Sequence, residues 1–216
     1  MNDCYVIFDM DGVLFDSESA YIEGYVRFAS DYPDIRETSL SCIGANGQKT
    51  REIFLLKYGE DFPFDSYYQK VRTFVRSNPI PLKPGVFEIM DYLKEADIPI
   101  ALASSTSTES VMKMLDEKGL TSYFDVIVCG DMVSYSKPHP EIFLTAAERL
   151  GAQPASCFVI EDSYNGIRAA FAAGMRPIMV PDIVQPDEEI RELAEVVLPC
   201  LTDVISYLDD QKKVIL

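Results

Sequence analysis

The sequence of 216 residues has no tryptophan, one histidine (His139), and far fewer cations than anions: 19 Lys and Arg against 35 Asp and Glu, a formal net charge of −16. A single histidine excludes a multi-histidine metal centre and a Cys₂His₂ zinc site. The anionic balance argues against nucleic-acid binding, which needs a positive footprint, and against an anionic membrane surface. It leaves room for a small phosphorylated metabolite, because a local positive site can lie within a negative surface. No apolar run approaches the ~20 residues that span a bilayer. The opening MNDCYVIFDMDG carries acids where a secretory signal carries bases. The five cysteines, Cys4, Cys42, Cys129, Cys157 and Cys200, form no CxxC pair. They read as reduced thiols of a cytoplasmic protein. Glycine is scarce (11 residues) and heptads are absent, so neither a collagen-like chain nor a coiled-coil rod fits.

What is present is a globular balance, 48% hydrophobic and 25% charged. Short β-rich apolar runs occupy 5–8, 98–103, 126–129, 157–160 and 177–180, with a weaker one at 196–198. Between them apolar residues recur at helical spacing: Val86, Ile89, Met90 and Leu93; Val111, Met114 and Leu115; Ile142, Phe143, Ala146, Ala147 and Leu150; Ile167, Ala170 and Phe171. This alternation predicts an α/β fold, a doubly wound parallel sheet with helices on both faces. Such sheets carry their sites beyond the carboxyl ends of the strands. Residues 17–82 break the rhythm, with no strand-like run and many aromatics among charges. They predict a helical domain inserted after the first strand, leaving 1–16 and 83–216 as the core. Pro79, Pro81 and Pro84 suit a stiff second linker.

Four segments carry chemistry. In Phe8-Asp9-Met10-Asp11-Gly12, two carboxylates two residues apart follow a buried strand, where like charges need a cation or a proton. A plain acidic turn is the bland alternative. In Ile160-Glu161-Asp162-Ser163, paired acids again follow an apolar strand, although Asp162 or Ser163 could simply cap the next helix. Four carboxylates converging on one sheet edge suit a hard divalent cation, Mg²⁺ best. At 104–109 a strand ends in hydroxyls. Thr106 with Glu109 fits a capping box, which leaves Ser104 at the strand tip unexplained; the helix start is also an anion site. Lys137, in Ser136-Lys137-Pro138-His139-Pro140-Glu141, precedes a helix N-terminus, where the macrodipole disfavours a cation. The placement makes sense if Lys137 answers carboxylates and a phosphate. His139 reads as an exposed loop residue.

Taken together and in this order, the four segments resemble the motifs of the haloacid dehalogenase superfamily over nearly the whole chain. The Lys137-Pro138 and Glu161-Asp162-Ser163 surroundings resemble the β-phosphoglucomutase-like phosphatases with a helical cap, and the resemblance makes 17–82 that cap and the core Rossmann-like. It implies that Asp9 is the nucleophile and Asp11 the general acid and base. It implies that Ser104, the backbone near Ser105, and Lys137 bind the transferring phosphoryl group. Mg²⁺ is then held by Asp9, the Asp11 carbonyl and Asp162, with Glu161 direct or through water. The implied activity is a phosphatase acting on a small phosphorylated metabolite. A monomer is expected, and the cysteine usage places it in the cytoplasm.

The departures are specific. Where the mutase branch has a cap histidine this chain has Tyr21, and the mutase cap arginine falls near Gly47, with Lys49 and Arg51 displaced. Both weigh against the alternative of a phosphomutase. Asp11 weighs against halide displacement, and the intact motifs weigh against a non-catalytic phosphate-binding or regulatory protein. Specificity is expected from cap residues, among them Tyr21, Asn46, Gln48, Lys49 and Arg51.

Overall fold

The computed structural model describes residues 4–43, 45 and 47–215, with side chains through 211. Its strands are β1 (Tyr5–Phe8), β2 (Ile100–Ser104), β3 (Val126–Cys129), β4 (Cys157–Glu161), β5 (Arg176–Met179) and β6 (Val196–Val197). They form one sheet in the order β3-β2-β1-β4-β5-β6, and each neighbouring pair is parallel. The chain winds outward from β1 through β2 to β3, then returns to start β4 on the other side of β1. That reversal makes the β1–β4 junction the topological switch point, where a crevice opens beyond the strand ends. Phe8 stands opposite both Leu102 and Ile160, so the residues that follow β1, β2 and β4 emerge side by side.

The helices are α1 (Ser17–Phe28), α2 (Ile35–Leu40), α3 (Gly47–Tyr58), α4 (Phe64–Ser77), α5 (Val86–Glu95), α6 (Thr108–Lys118), α7 (Glu141–Leu150), α8 (Tyr164–Ala172), α9 (Glu188–Leu193) and α10 (Leu201–Ile215). The chain divides into two compact units, Met1–Leu14 with Lys83–Leu216, and Phe15–Leu82.

In the larger unit the strand period of two sorts the core. Ile7, Ala101, Ala103, Val128 and Val159 pack under Ile142, Phe143, Ala146 and Ala147 of α7 and under Ala169 and Ala170 of α8. On the opposite face Phe158 meets Tyr207 of α10 edge to face, with centroids 6.3 Å apart. The α5 stripe Val86, Ile89, Met90 and Leu93 is buried, as its spacing predicts. Phe171 departs from its expected stripe and is 53% exposed. The buried arc of α8 is centred on Gly166 and Ala170, which turns Phe171 outward. Helices α9 and α10 have no counterpart in the sequence reading; α9 is capped by Asp187, whose Oδ1 accepts from the Ile190 N–H at 2.9 Å.

The smaller unit is helical, and α1 lies against α4 with Gly24 placed on Val71. Aromatic rings fill its interior: Tyr25, Phe54, Phe62 and Phe64 are buried. Tyr32 meets Tyr58, Phe62 and Tyr67 edge-on. Phe15 and Asp16 belong here, because Phe15 bridges to Leu82 and the Asp16 N–H donates to the Pro81 carbonyl at 3.0 Å. Among the described residues no helix is long and apolar enough to cross a membrane, and none of the five cysteines forms a disulfide.

Candidate active site

The site is built where β1, β2 and β4 end. Asp9 directly follows β1, and its N–H donates to the Ile160 carbonyl at 3.0 Å, which extends the β1–β4 ladder to the acidic residue itself. The chain then turns sharply, with the Leu14 N–H returning to the Met10 carbonyl at 2.9 Å. Gly12 has φ +80° in this turn, and a Cβ there would overlap the Asp162 carboxylate. The residue type is therefore fixed twice, by the left-handed backbone and by the close approach of the β4 acid.

Lys137 reaches this point from the loop before α7. It is 8% exposed, and its Nζ donates to Asp9 Oδ1 at 2.5 Å, Glu161 Oε1 at 2.8 Å and the Ala103 carbonyl at 3.2 Å. The ammonium also lies 4.6 Å from the centre of the Phe143 ring. One cation thus ties together the ends of β1, β2 and β4. Burial pushes the Asp9 carboxyl up to about 7; the Lys137 charge pulls against this, while Glu161 and Asp11 add to it. For Lys137 burial acts downward, yet the Asp9 and Glu161 carboxylates outweigh it and hold the amine well above its ordinary value. Its charge is retained across the physiological range.

Glu161 is 1% exposed and fully engaged at both oxygens. Oε1 accepts from Lys137, while Oε2 accepts from the N–H groups of Asp162 and Ser163 at 2.9 and 2.7 Å and from the Ser163 hydroxyl at 2.9 Å. Ser163, and not Asp162, caps α8, its Oγ accepting from the Gly166 N–H at 3.1 Å. Gly166 is also required sterically, since a Cβ there would overlap the Glu161 carboxyl.

Glu161 and Asp11 both lie near enough to Asp9 to push its carboxyl up. Among the described residues no group of three or more His, Cys, Asp and Glu side chains is gathered closely enough to hold a metal ion. The physical reason is visible in the hydrogen bonds: Lys137 and the β4 loop draw Glu161 to themselves, and Thr106 holds Asp11. Oxygens of Asp9, Asp162 and the backbone also lie on the β1–β4 edge.

The capping-box reading of Thr106 is also corrected. Helix α6 starts at Thr108, and its cap comes from Asp131 after β3, which accepts from the Thr108 N–H at 3.1 Å and from the Thr108 hydroxyl at 2.6 Å. Thr106 is released by that substitution of partners, and its hydroxyl donates to Asp11 Oδ2 at 2.9 Å. Ser104 is fully buried at the tip of β2, where its Oγ accepts from the Thr106 N–H at 3.1 Å. Ser105 is exposed beside it.

The expected cap residues belong to the smaller unit. Tyr21 is half-buried against the aromatic interior. Lys49 and Arg51 lie exposed on α3, where Lys49 pairs with Glu52 at 3.1 Å and Arg51 with Asp65 at 3.8 Å. Asn46 lies outside the described residues. His139 is exposed and packs at a tilt against Tyr135, with centroids 4.6 Å apart. Thr106, Asp131 and Gly166 also support the site; the sequence offers Thr106 only as a capping residue, Gly166 only as a fixed offset from Glu161-Asp162-Ser163, and for Asp131 no signal.

The haloacid dehalogenase-like hydrolase family matches residues 6–180, and the chain belongs to that family. Several of its matched relatives are named phosphatases, and the solved structures it resembles include a putative β-phosphoglucomutase from Thermotoga maritima, 31% identical with a TM-score of 0.77, covering 96% of this chain and 99% of that one. A phosphorylated carbohydrates phosphatase of Thermotoga maritima is 38% identical over 180 residues, 80% of this chain and 82% of the relative. Hexitol phosphatase B of Escherichia coli K12 is 32% identical over 206 residues, 92% of each chain. Among solved structures, CbbY from Rhodobacter sphaeroides in complex with phosphate superposes with a TM-score of 0.75 at 27% identity, covering 94% of this chain and 96% of that one.

Proposed function

We propose that the chain is a Mg²⁺-dependent phosphatase that hydrolyses a small phosphorylated carbohydrate through an aspartyl-phosphate on Asp9. The observation that carries this reading is the buried Lys137 ammonium bridging Asp9 and Glu161 beside the tip of β2. A phosphate ester approaching Asp9 brings one anion to another, and a fixed cation at that point lowers the repulsion where phosphoryl charge must sit.

The Asp9 carboxylate forms a bond to phosphorus as the bond from phosphorus to the sugar oxygen breaks, and the departing oxygen takes its proton from Asp11. Asp11, now a carboxylate, accepts a proton from a water whose oxygen attacks the same phosphorus. The bond to Asp9 breaks and its electron pair returns to the carboxylate. The balance is ester plus water giving alcohol plus phosphate. Ser104 and the backbone near Ser105 receive phosphoryl oxygens. The donor set fits Mg²⁺, which takes one or two carboxylates and keeps several waters: Asp162 is packed against the Gly12 turn beside Asp9, and all donors are oxygens. Asp9, the Asp11 carbonyl and Asp162 would hold the ion; both Glu161 oxygens are already bonded to protein, so Glu161 stays outside that set. When bound, the ion neutralises charge on the phosphoryl group.

The matched phosphatases named for phosphorylated carbohydrates and hexitols support the substrate class. Tyr21 and Gly47 support hydrolysis over mutase chemistry, and the free thiols support a cytoplasmic setting. The test is phosphate release from a panel of hexose and hexitol phosphates, with Mg²⁺ and with EDTA. Metal-dependent phosphate release is expected. An isomerised ester would establish a phosphomutase instead, and absence of turnover on any ester would refute the reading.

A further inference from the structure

We infer that Thr106 is a positioning residue for the proton transfers of Asp11, an inference that rests on the phosphatase reading above. The general acid of such a reaction must present its carboxyl to the departing oxygen, and Asp11 sits on a turn beyond β1 and is only partly buried. A side chain so placed has rotamer freedom that costs rate. The Thr106 hydroxyl restricts it by donating to Asp11 Oδ2 at 2.9 Å.

The support for Thr106 is itself fixed from three sides. Its N–H donates to Ser104 Oγ at 3.1 Å, and its carbonyl accepts from the Gly130 N–H at 2.9 Å. Two residues on, Asp131 clamps Thr108 through both backbone and hydroxyl. The ends of β2 and β3 therefore form one frame, and Thr106 is where that frame touches the Asp11 carboxyl. Capping could have used the Thr106 hydroxyl locally; Asp131 does that work, and the hydroxyl is spent on an acid 95 positions earlier in the chain.

In the step concerned, the bond from phosphorus to the leaving oxygen breaks, its electron pair stays on that oxygen, and the Asp11 proton satisfies it. Poor leaving groups need that proton more than good ones. The discriminating experiment is therefore kcat/KM for wild type, Thr106→Val and Thr106→Ser on phenyl phosphate and p-nitrophenyl phosphate. The two esters are close in shape and differ in leaving-group basicity. In Thr106→Val the ratio of phenyl to p-nitrophenyl kcat/KM is expected to fall about tenfold, a part of the roughly 10²–10⁴ that general-acid catalysis supplies, because Asp11 is misplaced and not removed; Thr106→Ser, which keeps the hydroxyl, is expected to restore it. An equal loss on both esters would mark a merely structural residue and overturn the inference, as would no loss on either. A wild-type protein inert to both esters would instead bring down the phosphatase reading and this inference with it.

Discussion

Lys137→Met tests the centre of the site without invoking any ligand. The variant keeps the buried stem and deletes an ammonium that donates to Asp9, Glu161 and Ala103. It leaves two carboxylates, 7% and 1% exposed, without their shared cation. Removing one partner of a buried ion pair costs about 3–5 kcal/mol, against a usual domain stability of about 5–15 kcal/mol. The cost should depend on pH. The folded-state pKa of Asp9, about 7 with Lys137 present, lies above its ordinary 3.8, so between these values the folded protein binds a proton that the unfolded chain does not. Stability then falls as pH rises toward the folded value and levels off above it. Without Lys137 the downward pull is gone, so the folded pKa of Asp9 moves higher and the fall continues above pH 7. In that window the variant loses up to about 1.4 kcal/mol per pH unit relative to wild type. Urea unfolding in EDTA at pH 7 and pH 8.5 measures this, with m compared to confirm that the same surface is exposed. Asp9→Asn in the same background removes the orphaned charge and should recover most of the loss. A loss below about 1 kcal/mol, or a double variant no more stable than Lys137→Met, would refute the claim that this ion pair organises the site.

Asp162→Ala should raise the Mg²⁺ concentration for half-maximal phosphate release at least tenfold, while urea unfolding in EDTA shows no loss of stability, because one of several neighbouring carboxylates is gone; unchanged Mg²⁺ dependence would remove Asp162 from the donor set. Gly166→Ala places a Cβ on the Glu161 carboxyl and should cost about 1–3 kcal/mol in urea unfolding, the usual range for overpacking. It should also lower kcat, since Glu161 holds Lys137; full activity with unaltered stability would show that the β4 loop yields without moving Lys137.

The contrast between what was legible in the sequence and what was not follows from distance along the chain. The strand runs and the α5 and α7 stripes were legible because each is a local periodicity that burial enforces residue by residue. The placement of Lys137 was legible for a related reason. A cation where a helix start disfavours it signals a nearby anion, and the structure supplies Asp9 and Glu161. The failures share one form. Local spacing offers Thr106 a partner three residues away, Glu109. The fold gave it Asp11, and gave the α6 cap to Asp131. Local sequence likewise places every acid at the sheet edge without showing that Glu161 spends oxygens on Lys137 and on the loop from 161 to 163. Hydrogen-bonding capacity is finite, so a polar group claimed by a distant partner is withdrawn from the local motif that its neighbours suggest. At this site parallel crossovers bring ends of β1, β2, β3 and β4 together from four parts of the chain, so distant claims prevail over local ones wherever both compete. Residue types at the strand ends therefore announce the chemistry, while the division of labour among them is decided by the order in which the strands lie.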